Sequence, residues 1–196
     1  VVQGTGEATD VTLTGKNGAN APVTTIVLED RNGIDTGANG TNTFWTSFQF
    51  NGFKSTTWPT GTSGLKVEYY DGTTWHLVGD YTSSSQLPPS LPSGVGNADV
   101  QGLRYTWTGQ FAAGAQVGAT FSATVKDSAG AGSVKDCVQQ SYSGGLITTP
   151  VLSSACDTVT ITPQSRTVSQ SKTFNPDSGT AGLDPAATTT ATLTVK

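Results

Sequence analysis

Short runs in which apolar and polar residues alternate recur along this chain, each bounded by Gly, Pro, Asn or Asp, and no other feature constrains its fold as tightly. A period of two puts successive side chains on opposite faces of an extended strand, so one face can be buried while the other meets water. The clearest runs are Val11 to Thr14, Val23 to Leu28, Phe44 to Phe50, Leu65 to Tyr70, Trp75 to Val78, Leu103 to Thr108, Val117 to Val125, Val159 to Thr162 and Ala191 to Val195. Asp71-Gly72 is a tight-turn signal that should pair the strands on either side of it antiparallel. No run predicts a helix, and composition agrees: Met is absent and only 12% of residues are charged, so strong helix formers are scarce. The expected fold is therefore all-β, an immunoglobulin-like antiparallel sandwich of about nine to ten strands.

From Ser83 to Asp99 the periodicity stops in favour of Pro, Ser and Gly, which predicts one long loop within a single domain. A second break at Pro163 to Arg166 divides the chain into a sandwich repeat, residues 1–163, and a segment, 164–196. That segment is read as a linker followed by the opening strand of a next repeat or a C-terminal docking strand. Glu7 to Lys16 reads EATDVTLTGK and Ala187 to Lys196 reads ATTTATLTVK, identical at five of ten positions at an offset of 180 residues. Such self-similarity marks a tandem array. Ala191, Leu193 and Val195 then form a junction strand, and the expected partners are neighbouring repeats or copies of the same chain.

A net charge of −4 and ten scattered basic residues give no electrostatic footprint for nucleic acid. No apolar run reaches the length of a membrane span, and any export signal is expected to have been removed or to lie outside Val1 to Lys196. Cys137 and Cys156 enclose a loop rich in Ser, Gly and Thr. An even pair in such a setting predicts a disulfide formed in an oxidising compartment, worth about 3 kcal/mol by loop entropy.

Three phrases carry a resemblance: SKTFNPDSGTAGLDPAATTTATLTVK from Ser171, VTLTGKNGANAPVTTIVLED from Val11 and TTWPTGTSGLKVEYYDGTTWH from Thr56. Together they resemble the immunoglobulin-like repeats, of the DUF11 and isopeptide-fimbrial kind, of large bacterial surface proteins, especially those of actinobacteria. The resemblance implies an extracellular stalk, adhesin or fimbria-like segment at the cell surface or cell wall. It also implies an intramolecular lysine–asparagine crosslink, which needs a buried neutral lysine beside an amide and a protonated acid. Lys16 with Glu29 or Asp30 is the candidate start.

Other chemistry has fewer candidates. His76 is the only histidine, expected on a strand with its side chain opposite that of Trp75, and no nucleophile elbow accompanies it. Glu29 with Asp30 or Glu68 could form a glycosidase pair, but strand-edge acids are ordinarily solvated, so no enzyme and no resident cofactor are expected. Asp30, Asn32 and Asp35 offer hard oxygen ligands for calcium in a turn that departs from the EF-hand pattern. Trp58, Tyr69, Tyr70 and Trp75 could present flat faces to glycans; Tyr69 and Tyr70, being adjacent on a strand, must face opposite sides. Asn39 heads an Asn-Gly-Thr glycosylation sequon.

Overall fold

A computed structural model of the chain describes residues 1–34, 37 and 40–164 in full and the backbone alone of 170–175 and 190–195. Two compact units result, Val1–Gln164 and Ser165–Lys196. The first is an antiparallel β-sandwich of nine strands: β1 (Ala8–Lys16), β2 (Val23–Arg31), β3 (Phe48–Thr56), β4 (Thr62–Tyr70), β5 (Trp75–Tyr81), β6 (Gly102–Phe111), β7 (Gln116–Val125), β8 (Gly132–Gly144) and β9 (Ile147–Ile161). The smaller sheet runs β1-β7-β3 and the larger β5-β4-β6-β2-β8-β9. In the second unit β10 (Gln170–Asn175) pairs antiparallel with β11 (Thr190–Val195).

Alternation explains the layers. On β2 and β6 the inward positions are Ile26, Leu28, Leu103, Tyr105 and Trp107, all 0% exposed, and on β7 they are Val117, Ala119, Phe121 and Ala123. Phe44, Trp45, Phe48 and Phe50 fill the space between, with Trp45 stacked on Phe121 at 5.4 Å. Each such aromatic removes roughly 150–250 Å² from water, so this cluster is a large part of what packs the sheets together.

Four features differ from expectation. Phe44 to Phe50 was expected to be strand throughout, yet Phe44–Ser47 forms one helical turn, α1, before β3 begins. Bending the chain there brings Phe44 and Trp45 inward together, which successive strand residues cannot do. Strand β8 has no counterpart among the expected runs, because its inward positions mix Asp136 and Gln140 with Val134, Val138 and Tyr142. Strand β9 begins at Ile147 rather than Val159; it is a sheet edge whose side chains are mostly exposed, so alternation never marks it. The long loop spans Thr82 to Gln101 and contains two 3₁₀ turns, Ser84–Gln86 and Asn97–Asp99.

Val1 to Gln3 lie beside the end of β9. Val2 bridges Thr162 in parallel; Gln3 N–H donates to Thr162 O at 2.9 Å and Thr162 N–H to Val1 O at 2.9 Å.

Candidate functional site

On β4, Glu68 and Tyr70 point away from the core that takes Val67 and Tyr69, and the strands beside it carry that outer face onward. Register aligns Leu77 of β5, Glu68, Arg104 of β6, Glu29 of β2 and Gln139 of β8 in one row across five strands. Arg104 Nε donates to Glu68 Oε2 at 2.8 Å, and its Nη1 lies 3.8 Å from Glu29 Oε2. Arg31 Nε donates to Glu29 Oε1 at 2.7 Å, while Lys66 approaches Glu68 at 3.0 Å.

Beside this row Tyr70 and Trp75 face each other with ring centres 5.1 Å apart. Arg31 lies over Tyr70 at 5.7 Å and Arg104 over Trp75 at 4.3 Å. Gly102 sits beneath: a Cβ there would meet Arg31 Cβ at 2.6 Å, Asp30 O at 2.8 Å and Tyr70 Cβ at 3.1 Å. The result is an outward patch of two aromatic rings and two guanidiniums whose charge is balanced by carboxylates. Burial alone would push the Glu68 carboxyl up, but hydrogen bonds from Arg104 and Lys66 outweigh it and hold the group below the ordinary carboxylate range. An acid so held is ionised at neutral pH and has no proton to give a leaving group.

The four expected glycan-facing aromatics therefore separate. Tyr70 and Trp75 are half-buried on the outer face; Tyr69 is 9% exposed in the core, and Trp58 packs against the core from its rim. His76 stacks on Tyr69 at 5.1 Å, and its Nε2 is 2.7 Å from Asp71 Oδ2. It is half-buried against a turn rather than an open strand residue.

Asp30 does not meet Lys16. It is 0% exposed, and its Oδ1 accepts from Asn42 Nδ2 at 2.7 Å and Trp45 Nε1 at 2.9 Å. Asn42 also donates to Cys137 O at 2.7 Å and, through Oδ1, accepts from Phe44 N–H at 2.9 Å. This acid thus anchors the chain between β2 and α1. Burial, then the nearby Asp136, push its pKa well up. Asp136 is itself raised to about 6 by burial and, secondarily, by Asp157, which faces it across β8 and β9. Lys16 is exposed at the end of β1.

The calcium trio is divided as well. Asn32 Oδ1 accepts from Trp45 N–H at 3.0 Å and its Nδ2 donates to Thr46 at 3.0 Å, so both Asp30 and Asn32 serve α1. Asp35 and Asn39 lie outside the described residues, and among those described no three acidic, histidine or cysteine side chains converge as metal ligands. Ala191, Leu193 and Val195 fall on β11.

Cys137 and Cys156 are bridged directly across β8 and β9, with Cα atoms 4.1 Å apart. A groove of about 530 Å³ on the smaller sheet is lined by Thr12, Thr14, Lys16, Ser55, Thr57 and Thr120 among others. No aromatic ring, carboxylate or imidazole lines it, so the Tyr70–Trp75 patch suits stacking recognition better than this groove does. Comparison of the chain with known protein families and with curated proteins gives no match.

Proposed function

We propose that Val1–Gln164 is a non-catalytic structural repeat of an extracellular bacterial surface adhesin or fibre, built to bear tension. One observation carries the reading: Val1 to Gln3 run parallel to Thr162 at the exit of β9. Pulling the two ends of this unit apart slides these parallel neighbours along each other, so their hydrogen bonds are loaded together rather than opened one at a time. Three backbone bonds and the Thr162 hydroxyl to Val1 O contribute. Behind them the disulfide keeps the 18 residues between Cys137 and Cys156 out of the force path.

Single-molecule stretching between handles tests this. The expected trace has one main force peak for the sandwich, lowered by Thr162→Pro, which removes the N–H given to Val1. Reduction should lengthen the released chain by about 60 Å, the extended span of the shielded residues. A peak force indifferent to Thr162→Pro would sink the reading.

A carbohydrate-binding module is the second reading, favoured by the outward Tyr70–Trp75 pair. Binding on a glycan array that Trp75→Ala abolishes, with the fold intact, would support it; an array blank for the intact chain rejects it.

A further inference from the structure

Register sets the outward face of the smaller sheet in rows, with β7 at its centre. Thr12, Thr120 and Ser55 form one row across β1, β7 and β3. Thr14 and Gly118 begin the next, and Thr57 completes it: its N–H donates to Gly118 O at 2.8 Å and its Oγ1 accepts from Gly118 N–H at 2.7 Å. Lys16 and Gln116 make the third. These rows wall the groove of about 530 Å³, a volume inside the span of roughly 300–1,000 Å³ usual for small-molecule sites.

Gly118 is the floor of the groove. A glycine inside a strand weakens it, and the ordinary reasons for one are a bulge, a positive φ or the close approach of a ligand or another backbone. Gly118 has no positive φ, and its register with β1 runs unbroken from Ala8 to Lys16. A Cβ there would lie 3.8 Å from Thr57 Cγ2 and 3.9 Å from Thr14 Cγ2, both ordinary contacts, with the Leu13 carbonyl tight at 3.2 Å. A larger side chain would rise between Thr14 and Thr57 and fill the groove.

The polar groups around this floor are uncommitted. Among the described residues none hydrogen-bonds or pairs with the Lys16 ammonium, the Gln116 amide or the hydroxyls of Thr14 and Ser55. Gln140 grips both backbone groups of Lys16, so the ammonium is presented from a fixed point of the chain. No carboxylate lines the groove. Asp10, the acid on this face of β1, stands about 20 Å along the strand from Lys16 and lies 3.9 Å from Lys54. One cation set among hydroxyls and amides, with no ring to stack on, is complementary to a ligand that is both anionic and rich in hydroxyls.

We propose that this groove binds an anionic saccharide, its acid group on the Lys16 ammonium and its ring over Gly118, with Thr14, Ser55 and Gln116 taking the sugar hydroxyls. An ammonium acts as a point charge and accepts a carboxylate or a sulfate alike. The site is separate from the Tyr70–Trp75 patch, which belongs to the larger sheet, and owes nothing to the load-bearing role of Thr162.

Titration of the full chain with oligogalacturonate, dextran sulfate and neutral dextran, followed by nuclear magnetic resonance, tests it. At least one acidic probe is expected to shift the amides of Gly118, Thr14 and Gln116, with neutral dextran bound about tenfold more weakly or less. Lys16→Gln should weaken binding about tenfold, the loss of one charge-assisted hydrogen bond. Gly118→Val should abolish it, and the shift map of the unmodified chain stands whether or not that variant folds. Neutral dextran bound as tightly as the acids overturns the proposal, as does a Lys16→Gln variant of parental affinity. Shifts confined to the Trp75 indole also overturn it, placing the sugar on the other sheet and supporting the patch instead. A chain that ignores every probe at millimolar concentration overturns it too, and leaves the stretching result untouched.

Discussion

Gln140 holds Lys16 as a neighbouring strand would: its Oε1 accepts from the Lys16 N–H at 2.8 Å and its Nε2 donates to the Lys16 carbonyl at 2.7 Å. Lys16 ends β1, an edge of the smaller sheet, while Gln140 belongs to β8 in the larger, so one side chain ties the two layers. Two hydrogen bonds of this sort contribute about 1–3 kcal/mol. Gln140→Leu should lower stability by that amount in urea denaturation, and Gln140→Glu, which cannot donate, should not restore it. A Glu variant as stable as the parent would show the donated bond to be idle.

Loss of the disulfide should be costlier than its short loop suggests by eye. Cys137→Ala with Cys156→Ala is expected to lose about 3 kcal/mol by the loop-entropy relation. Measured by denaturation against the oxidised parent, a loss under about 1 kcal/mol would mean that the β8–β9 pairing holds the hairpin unaided.

The Asp30 and Asp136 carboxyls give stability an unusual pH slope. Both are raised by burial, so the folded chain keeps protons that the unfolded chain releases near pH 4. Their contribution is complete below about pH 4 and is lost as pH rises through about 6, the Asp136 value. Glu29 and Asp157 add to the negative field, and Glu68, held low, works in the opposite sense only in more acid solution. Melting temperature should therefore fall between pH 4 and 7. Asp30→Asn keeps an acceptor for Asn42 and Trp45 but has no proton to lose, and should flatten that slope; an unchanged slope would assign it to other groups.

Gly102 is expected to tolerate no side chain. Its Cβ would strike the Asp30 carbonyl, which is backbone and cannot swing aside, as well as the stems of Arg31 and Tyr70. Gly102→Ala should cost about 1–3 kcal/mol. It should also change the near-ultraviolet circular dichroism of the Tyr70–Trp75 pair, whereas an unperturbed spectrum would show the patch forming without the glycine.

How far these features could be read in advance depended on which forces shaped each segment. Strands β2, β4, β6 and β7 carry apolar residues on one face and were plain from alternation, as was the Asp71-Gly72 turn joining β4 to β5. β8 and β9 were obscured because Asp136 and Gln140 do inward work by hydrogen bonding, and because an edge strand buries little. α1 was hidden by the same residues that make it necessary: Phe44 and Trp45 look like strand, but both are needed inside. The division of Tyr69 from Tyr70 followed from pleat geometry alone. That Arg31 and Arg104 would cover the outer rings did not, since cross-strand neighbours depend on register.

The hydroxyl-lined groove on the smaller sheet has a consequence for the medium the molecule lives in. Thr12 and Thr120 meet at 3.1 Å through uncharged hydroxyls, whose attraction for water and for each other is indifferent to dissolved ions. The opposite face, with its Glu29, Glu68, Arg31 and Arg104 lattice, weakens as ions screen it. Added salt would thus act mainly on the row of the larger sheet and only weakly on the groove, whose charges are Lys16 in its wall and the exposed Lys54–Asp10 pair on the same sheet.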